Sequence, residues 1–239
     1  MLTCENCGED VQDIEERCPT CGDPAGFPNV RVAYREQDEL ENRYNEAIEL
    51  ARSNGYEASL QEFDESMSSS YAVINDKLRF IFQFITNEKA LYSNYSFGVK
   101  GQVRKLAKEE DDQQRKTVEA IIFGTYGENI RYAALSLDKS GVSSYGPFTM
   151  IFREVAIIKR ASLLENNSYS FVEKHNIRRG TDAPLGYRAA WEDRNKLAVA
   201  KLAGSISSTT TKAEHAKILL FSEGKYETDE FIEVHIWDF

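Results

Sequence analysis

At 239 residues the chain is long enough for one large domain or for a small module followed by an ordinary one, and its formal charge is −10 at pH 7. No apolar run approaches the roughly 18 residues needed to cross a bilayer, and the acidic start is unlike a secretory signal, so a soluble, cytoplasmic protein without membrane contact is expected. Residues 1–66 hold 17 acidic side chains against 5 arginines, which sets the amino-terminal part against phosphate backbones and leaves any nucleic-acid contact to the loops around its cysteines or to the rest of the chain.

The first element is a pair of CxxC knuckles, Cys4-Glu-Asn-Cys7 and Cys18-Pro-Thr-Cys21, separated by ten residues. A knuckle turns two thiolates toward one ion, and two knuckles complete the tetrahedral set that zinc takes in closed structural sites. Gly8 and Gly22 directly follow the second cysteine of each knuckle, where a turn needs positive φ. Two disulfides or a redox-active CxxC pair are the competing readings, and both fit paired knuckles less well. These four are all the cysteines of the chain, so cysteine catalysis elsewhere is excluded. Four protein ligands leave no open coordination position, and the Zn2+ is expected to fold the module at residues 1–28 without doing chemistry.

Residues 29–70 read as an acidic helical linker, with one helix from about Tyr34 to Gly55 packed by a stripe of Leu40, Tyr44, Ile48 and Ala51. From Tyr71 the composition becomes that of a core, and residues 71–239 are expected to form one mixed domain. Leu78 to Ile85 is either a buried strand or a buried helix, and Gln102 to Phe123 reads as a helix with a charged centre and an apolar end. Beyond Arg131 come short apolar runs bounded by turns: Tyr132 to Leu137, Phe148 to Phe152, Ser168 to Val172, Ile218 to Phe221 and Phe231 to Trp237. A helix is predicted over Tyr187 to Leu202. Many strands with few helices, out of βαβ order, make the expected class α+β. Neither standard glycine-rich phosphate loop is present.

The last strand carries the most chemistry. Ile232, Val234 and Ile236 alternate with Glu233 and His235, so the aliphatic side faces a core and the two polar residues share the other face. A carboxylate among apolar neighbours must be solvated, paired or used, and a lysine or arginine is its ordinary partner. His175, His215 and His235 show no metal-ligand spacing, so a second metal is not expected. Arg178, Arg179, Arg188, Arg194 and Lys196 make residues 174–201 locally basic, which solvated surface charge ordinarily explains.

The segment Asp229-Glu230-Phe231-Ile232-Glu233-Val234-His235-Ile236 resembles the last motif of ADP-ribosyltransferases, in which a glutamate in an apolar strand follows an acceptor loop. The resemblance covers roughly residues 130–239. It implies an ADP-ribosyltransferase-like domain using NAD as co-substrate, with Glu233 (or, less well matched, Glu230) bonding the nicotinamide ribose and stabilising its cationic transition state. Within the same likeness Arg160 would hold the pyrophosphate, a role suited to a guanidinium. Tyr145, Asn167, Ser168 and Tyr169 would contact the ribose or nicotinamide. Ser205 to Thr209 is similar to the family's Ser-Thr-Ser strand but follows a helix. Phe231 stands where arginine-directed members carry Glu or Gln, which leaves nucleic acid or another side chain as acceptor. The implied role is a toxin or phage-defence effector, with an antitoxin or other protein partner. The alternative is a non-enzymatic zinc-ribbon adaptor that binds protein or nucleic acid.

Overall fold

The computed structural model describes residues 2–12, 15–78, 81, 109–226 and 228–238. Most of the Leu78 to Ile85 run and the start of the helix expected from Gln102 lie outside them. Strands β1 (Leu2–Thr3) and β2 (Asp10–Val11) pair antiparallel around the first knuckle. Helix α1 (Pro28–Arg35) opens on proline, whose missing N–H costs nothing in a first turn.

The single helix expected from Tyr34 to Gly55 is broken at Glu36, which ends α1 and precedes α2 (Gln37–Ser53). The buried Glu36 carboxylate accepts the Gly186 N–H at 3.0 Å and pairs with Arg188, so a tertiary anchor sets the break. Glu36→Ala strands a largely buried guanidinium, and a loss of about 3–5 kcal/mol in urea unfolding is expected; a midpoint unchanged from wild type would show that the pair contributes nothing.

Helix α3 (Glu57–Ser66) leads into strand β3 (Tyr71–Asp76). Then follow α4 (Glu109–Phe123), β4 (Ile130–Ser136), β5 (Phe148–Ile151), α5 (Glu154–Ile157), β6 (Ala161–Leu164) and α6 (Ser168–Lys174). The chain closes with β7 (Arg188–Ala190), α7 (Arg194–Leu202), α8 (His215–Leu219) and β8 (Glu233–Trp237). Three sequence expectations are corrected. Ser168 to Val172 is helical, because Asn167 caps it by accepting the Ser170 N–H at 2.9 Å. Ile218 lies within α8, and Phe221 forms only an isolated bridge with Glu230. The helix predicted from Tyr187 starts at Arg194, since Arg188 to Ala190 pair with β6.

Strands β3 to β8 form one sheet in the order β5-β3-β4-β8-β6-β7, every neighbour antiparallel. Alternation along each strand splits the sheet into two faces. Ala72, Leu135, Leu163, Ala189, Val234 and Ile236 face one core, which Leu40, Ala51, Leu60, Phe63, Leu197 and Leu219 complete from the helices. Residues 29–70, expected as a linker, therefore contribute side chains to the main core. The opposite face is covered by α1 over β6 and β7, where Val30 and Ala33 meet Ala190, and by α4 and α6, where Val118, Phe123 and Phe171 meet Ile130 and Leu164. The chain is thus a mixed α/β layered fold with its four cysteines gathered at the amino terminus. None of its described helices is long and apolar enough to cross a membrane.

Candidate functional site

The cysteine cluster follows from the two knuckles. Gly8 and Gly22 adopt φ of 77° and 75°, and their N–H groups close each turn on the Cys4 and Cys18 carbonyls at 2.9 Å. Sγ atoms of Cys4 and Cys21, and of Cys7 and Cys18, lie 3.6 Å apart, and all four fall within 4.8 Å of one another. Metal–sulfur bonds of about 2.3 Å in a tetrahedron require edges of roughly 3.8 Å, so the set can hold one metal ion. Main-chain N–H groups of Cys21 and Thr20 lower the Cys18 thiol to about 7 against the effect of burial. Cys7, although the Glu9 main chain favours its thiolate, is pushed up to about 12 by burial and the neighbouring thiols. Thiols this close cannot all ionise alone, and a dication removes that conflict. The module is tied down by Glu5, which accepts from Arg31 at 2.5 Å and Arg35 at 3.0 Å, and by the Lys159–Glu16 pair.

The second site lies on the sheet face opposite the main core. Glu233 stands between Ala134 on β4 and Leu164 on β6, and the small Ala134 leaves room beside the carboxylate. There a cavity of about 350 Å³ opens, walled by β3, β4, α4, the start of α6 and the loop holding Val142 and Tyr145. Tyr145, Asn167, Ser168, Tyr169 and Glu233, all named from the sequence, line it together. Arg160 does not. Its carbonyl accepts the Trp237 N–H, and its guanidinium donates to the Asp238 carbonyl and lies over the Phe27 ring. That is the far end of β8, four residues or roughly 13 Å along the strand from Glu233.

Glu233 forms no ion pair with lysine or arginine among the described residues. Its Oε2 instead accepts three bonds: the Ser168 N–H at 2.8 Å, the Ser168 hydroxyl at 2.5 Å and His235 Nε2 at 2.9 Å, the last with the proton on Nε2. The Ser168 N–H is free to donate because it belongs to the first turn of α6. His235 is held from behind by edge-on Phe123 and Tyr132 rings, and its carbonyl accepts from Asn29 of α1 at 2.9 Å. No hydrogen bond reaches Glu233 Oε1 among the described residues, so one oxygen is fixed and the other is left to the cavity.

Sequence reasoning missed the α4 wall. Arg115 Nε and the Tyr132 hydroxyl both donate to Glu119 Oε1, at 3.0 and 3.2 Å, and the Arg115 guanidinium sits over the Tyr132 ring. Burial opposes the charge of Arg115, but Glu119, Tyr132 and Glu233 together keep it above the usual arginine range. Burial, then Glu119 and Glu233, drive the Tyr132 phenol well above its ordinary value, so it stays a donor. The i,i+4 spacing of Arg115 and Glu119 was a signal available in the sequence. Of the basic stretch, Arg188, Arg194 and Lys196 are engaged by Glu36, Glu154, and Glu41 with Asp193.

No protein-family model, no curated protein and no solved structure matches the chain.

Proposed function

We propose that the chain consumes NAD: the Glu233 cavity binds the nicotinamide riboside end, the bond between the ribose and nicotinamide breaks, and ADP-ribose passes to an acceptor. One observation carries the reading. Glu233 is held by three donors on Oε2 while Oε1 is left to a cavity that Tyr145, Asn167 and Tyr169 also line. A carboxylate fixed in this way favours positive charge developing on a ribose, and because it is already oriented it need not reorganise as the bond breaks. The bonding pair leaves with the pyridinium nitrogen, whose charge it neutralises. The cavity falls at the lower end of the ~300–1,000 Å³ range of small-molecule sites.

The thiolate cluster is read as a structural zinc site, since four sulfur ligands suit that ion and leave no position for a reactant. NAD consumption accords with the toxin or defence role implied by the resemblance, and expression in a host is expected to lower cellular NAD. The direct test is incubation of the zinc-loaded full chain with nicotinamide-labelled NAD, alone and with cellular fractions. Release of nicotinamide by wild type and its loss in Glu233→Gln are expected. Absence of release under every condition would refute the reading and favour the adaptor alternative.

A further inference from the structure

Beside Asp76 at the end of β3, two glutamates line the same cavity from different layers of the fold, Glu233 from the sheet and Glu119 from α4. They are held alike. Glu233 is bonded through Oε2, and Glu119 through Oε1 by Arg115 and Tyr132. In both, the second oxygen receives no hydrogen bond among the described residues. From this juxtaposition we infer that the acceptor of ADP-ribose is water and that Glu119 is the general base that activates it. The inference rests on the NAD-consuming reading of Glu233.

The chemistry assigns the two acids different tasks. Hydrolysis of a glycosidic bond by paired carboxylates ordinarily needs one acid to protonate the leaving group. The nicotinamide of NAD leaves as a neutral base without a proton, so no acid is required. One carboxylate then stabilises the ribosyl cation, and the other takes a proton from the incoming water. The bond from C1′ to the nicotinamide nitrogen breaks with its pair going to nitrogen. The water oxygen donates a pair to C1′, and its proton passes to the second oxygen of Glu119 and on to solvent. NAD and water give nicotinamide, ADP-ribose and one proton.

Size and charge point the same way. A cavity of about 350 Å³ suits a small acceptor beside the substrate. Three cations of the basic stretch, Arg188, Arg194 and Lys196, are committed to ion pairs, which weakens the hold of a polyanion there.

The test uses the zinc-loaded full chain with NAD in ¹⁸O-water. ADP-ribose carrying one ¹⁸O, one for each nicotinamide released, is expected. Loss of the base should lower kcat by about 10²- to 10⁴-fold in Glu119→Gln, which keeps an acceptor for Arg115 and Tyr132. Azide, a nucleophile that needs no base, should restore nicotinamide release to Glu119→Ala with formation of ADP-ribosyl azide, and should not rescue Glu233→Gln. A merely structural role for Glu119 would give no such rescue. Nicotinamide release with ADP-ribose appearing on protein or nucleic acid, or a Glu119→Gln variant as fast as wild type, would overturn the water assignment and leave the Glu233 reading standing. No release by wild type would remove both.

Discussion

With zinc on the four thiolates, as proposed, chelation is expected to unfold residues 2–26 while leaving the sheet and its helices intact. The cysteine cluster shares buried contacts only with Val11 and Ala25 among the described residues, a core too small to hold the module by itself. Binding of structural zinc to small sulfur sites contributes about 10–16 kcal/mol in isolated modules, so with zinc in place most of the module's folding free energy would reside in the metal. The main core contains none of the four cysteines, and its transition should persist. The two parts meet where Glu5 pairs with Arg31 and where Leu2 packs beside Phe27 and Trp237, so tryptophan emission should report the release. One zinc per chain by elemental analysis, its loss in Cys18→Ser, and weaker binding in acid as thiolates are protonated are the expected results. A chain that purifies without metal, or that has no free thiols when denatured, would replace this picture with disulfides.

How much of this was legible depended on whether the signal was local. The cysteine knuckles and their glycines are specified within a few residues of one another, and the turns formed as the spacing predicts. Strand β8 was legible for a similar reason: a period of two places Val234 and Ile236 on one face and Glu233 and His235 on the other whatever surrounds them. The partners of Glu233 were not, because Ser168 and His235 meet its carboxylate only once α6 is docked on the sheet. Arg160 shows the same limit. Its residue type suits a phosphate, but the register of β6 against β8 puts it at the Trp237 end. Strands β6 and β7 were hidden because Ala161-Ser162-Leu163-Leu164 and Arg188-Ala189-Ala190 have weak strand preferences and are fixed by long-range pairing. The α4 residues read as one more charged helix, since only tertiary packing decides that Arg115 and Glu119 look onto a cavity.

Among single changes at Glu233 and the donors that hold it, Glu233→Gln is expected to have the largest effect on turnover. Glutamine keeps the volume of the side chain and an oxygen that can accept from Ser168, so the fold should survive while the negative charge is lost. Removing one well-placed electrostatic stabiliser typically lowers kcat by about 10²- to 10³-fold, and the lost charge is the one proposed to face the ribosyl cation. Ser168→Ala separates orientation from charge. It removes the hydroxyl donor and leaves the Ser168-position N–H and His235 Nε2 on Oε2, so the carboxylate stays in place with more freedom. A hydrogen bond to a charged group is worth about 1.5–3 kcal/mol, but two of three donors remain, and a kcat reduction of roughly tenfold with KM unchanged is expected. The order Glu233→Gln well below Ser168→Ala, itself below wild type, follows only if the carboxylate acts through its charge and the serine through its position. Equal losses in the two variants, together with equal losses of thermal stability, would mean that Glu233 serves as a cap for α6 and that the cavity has no chemistry of its own.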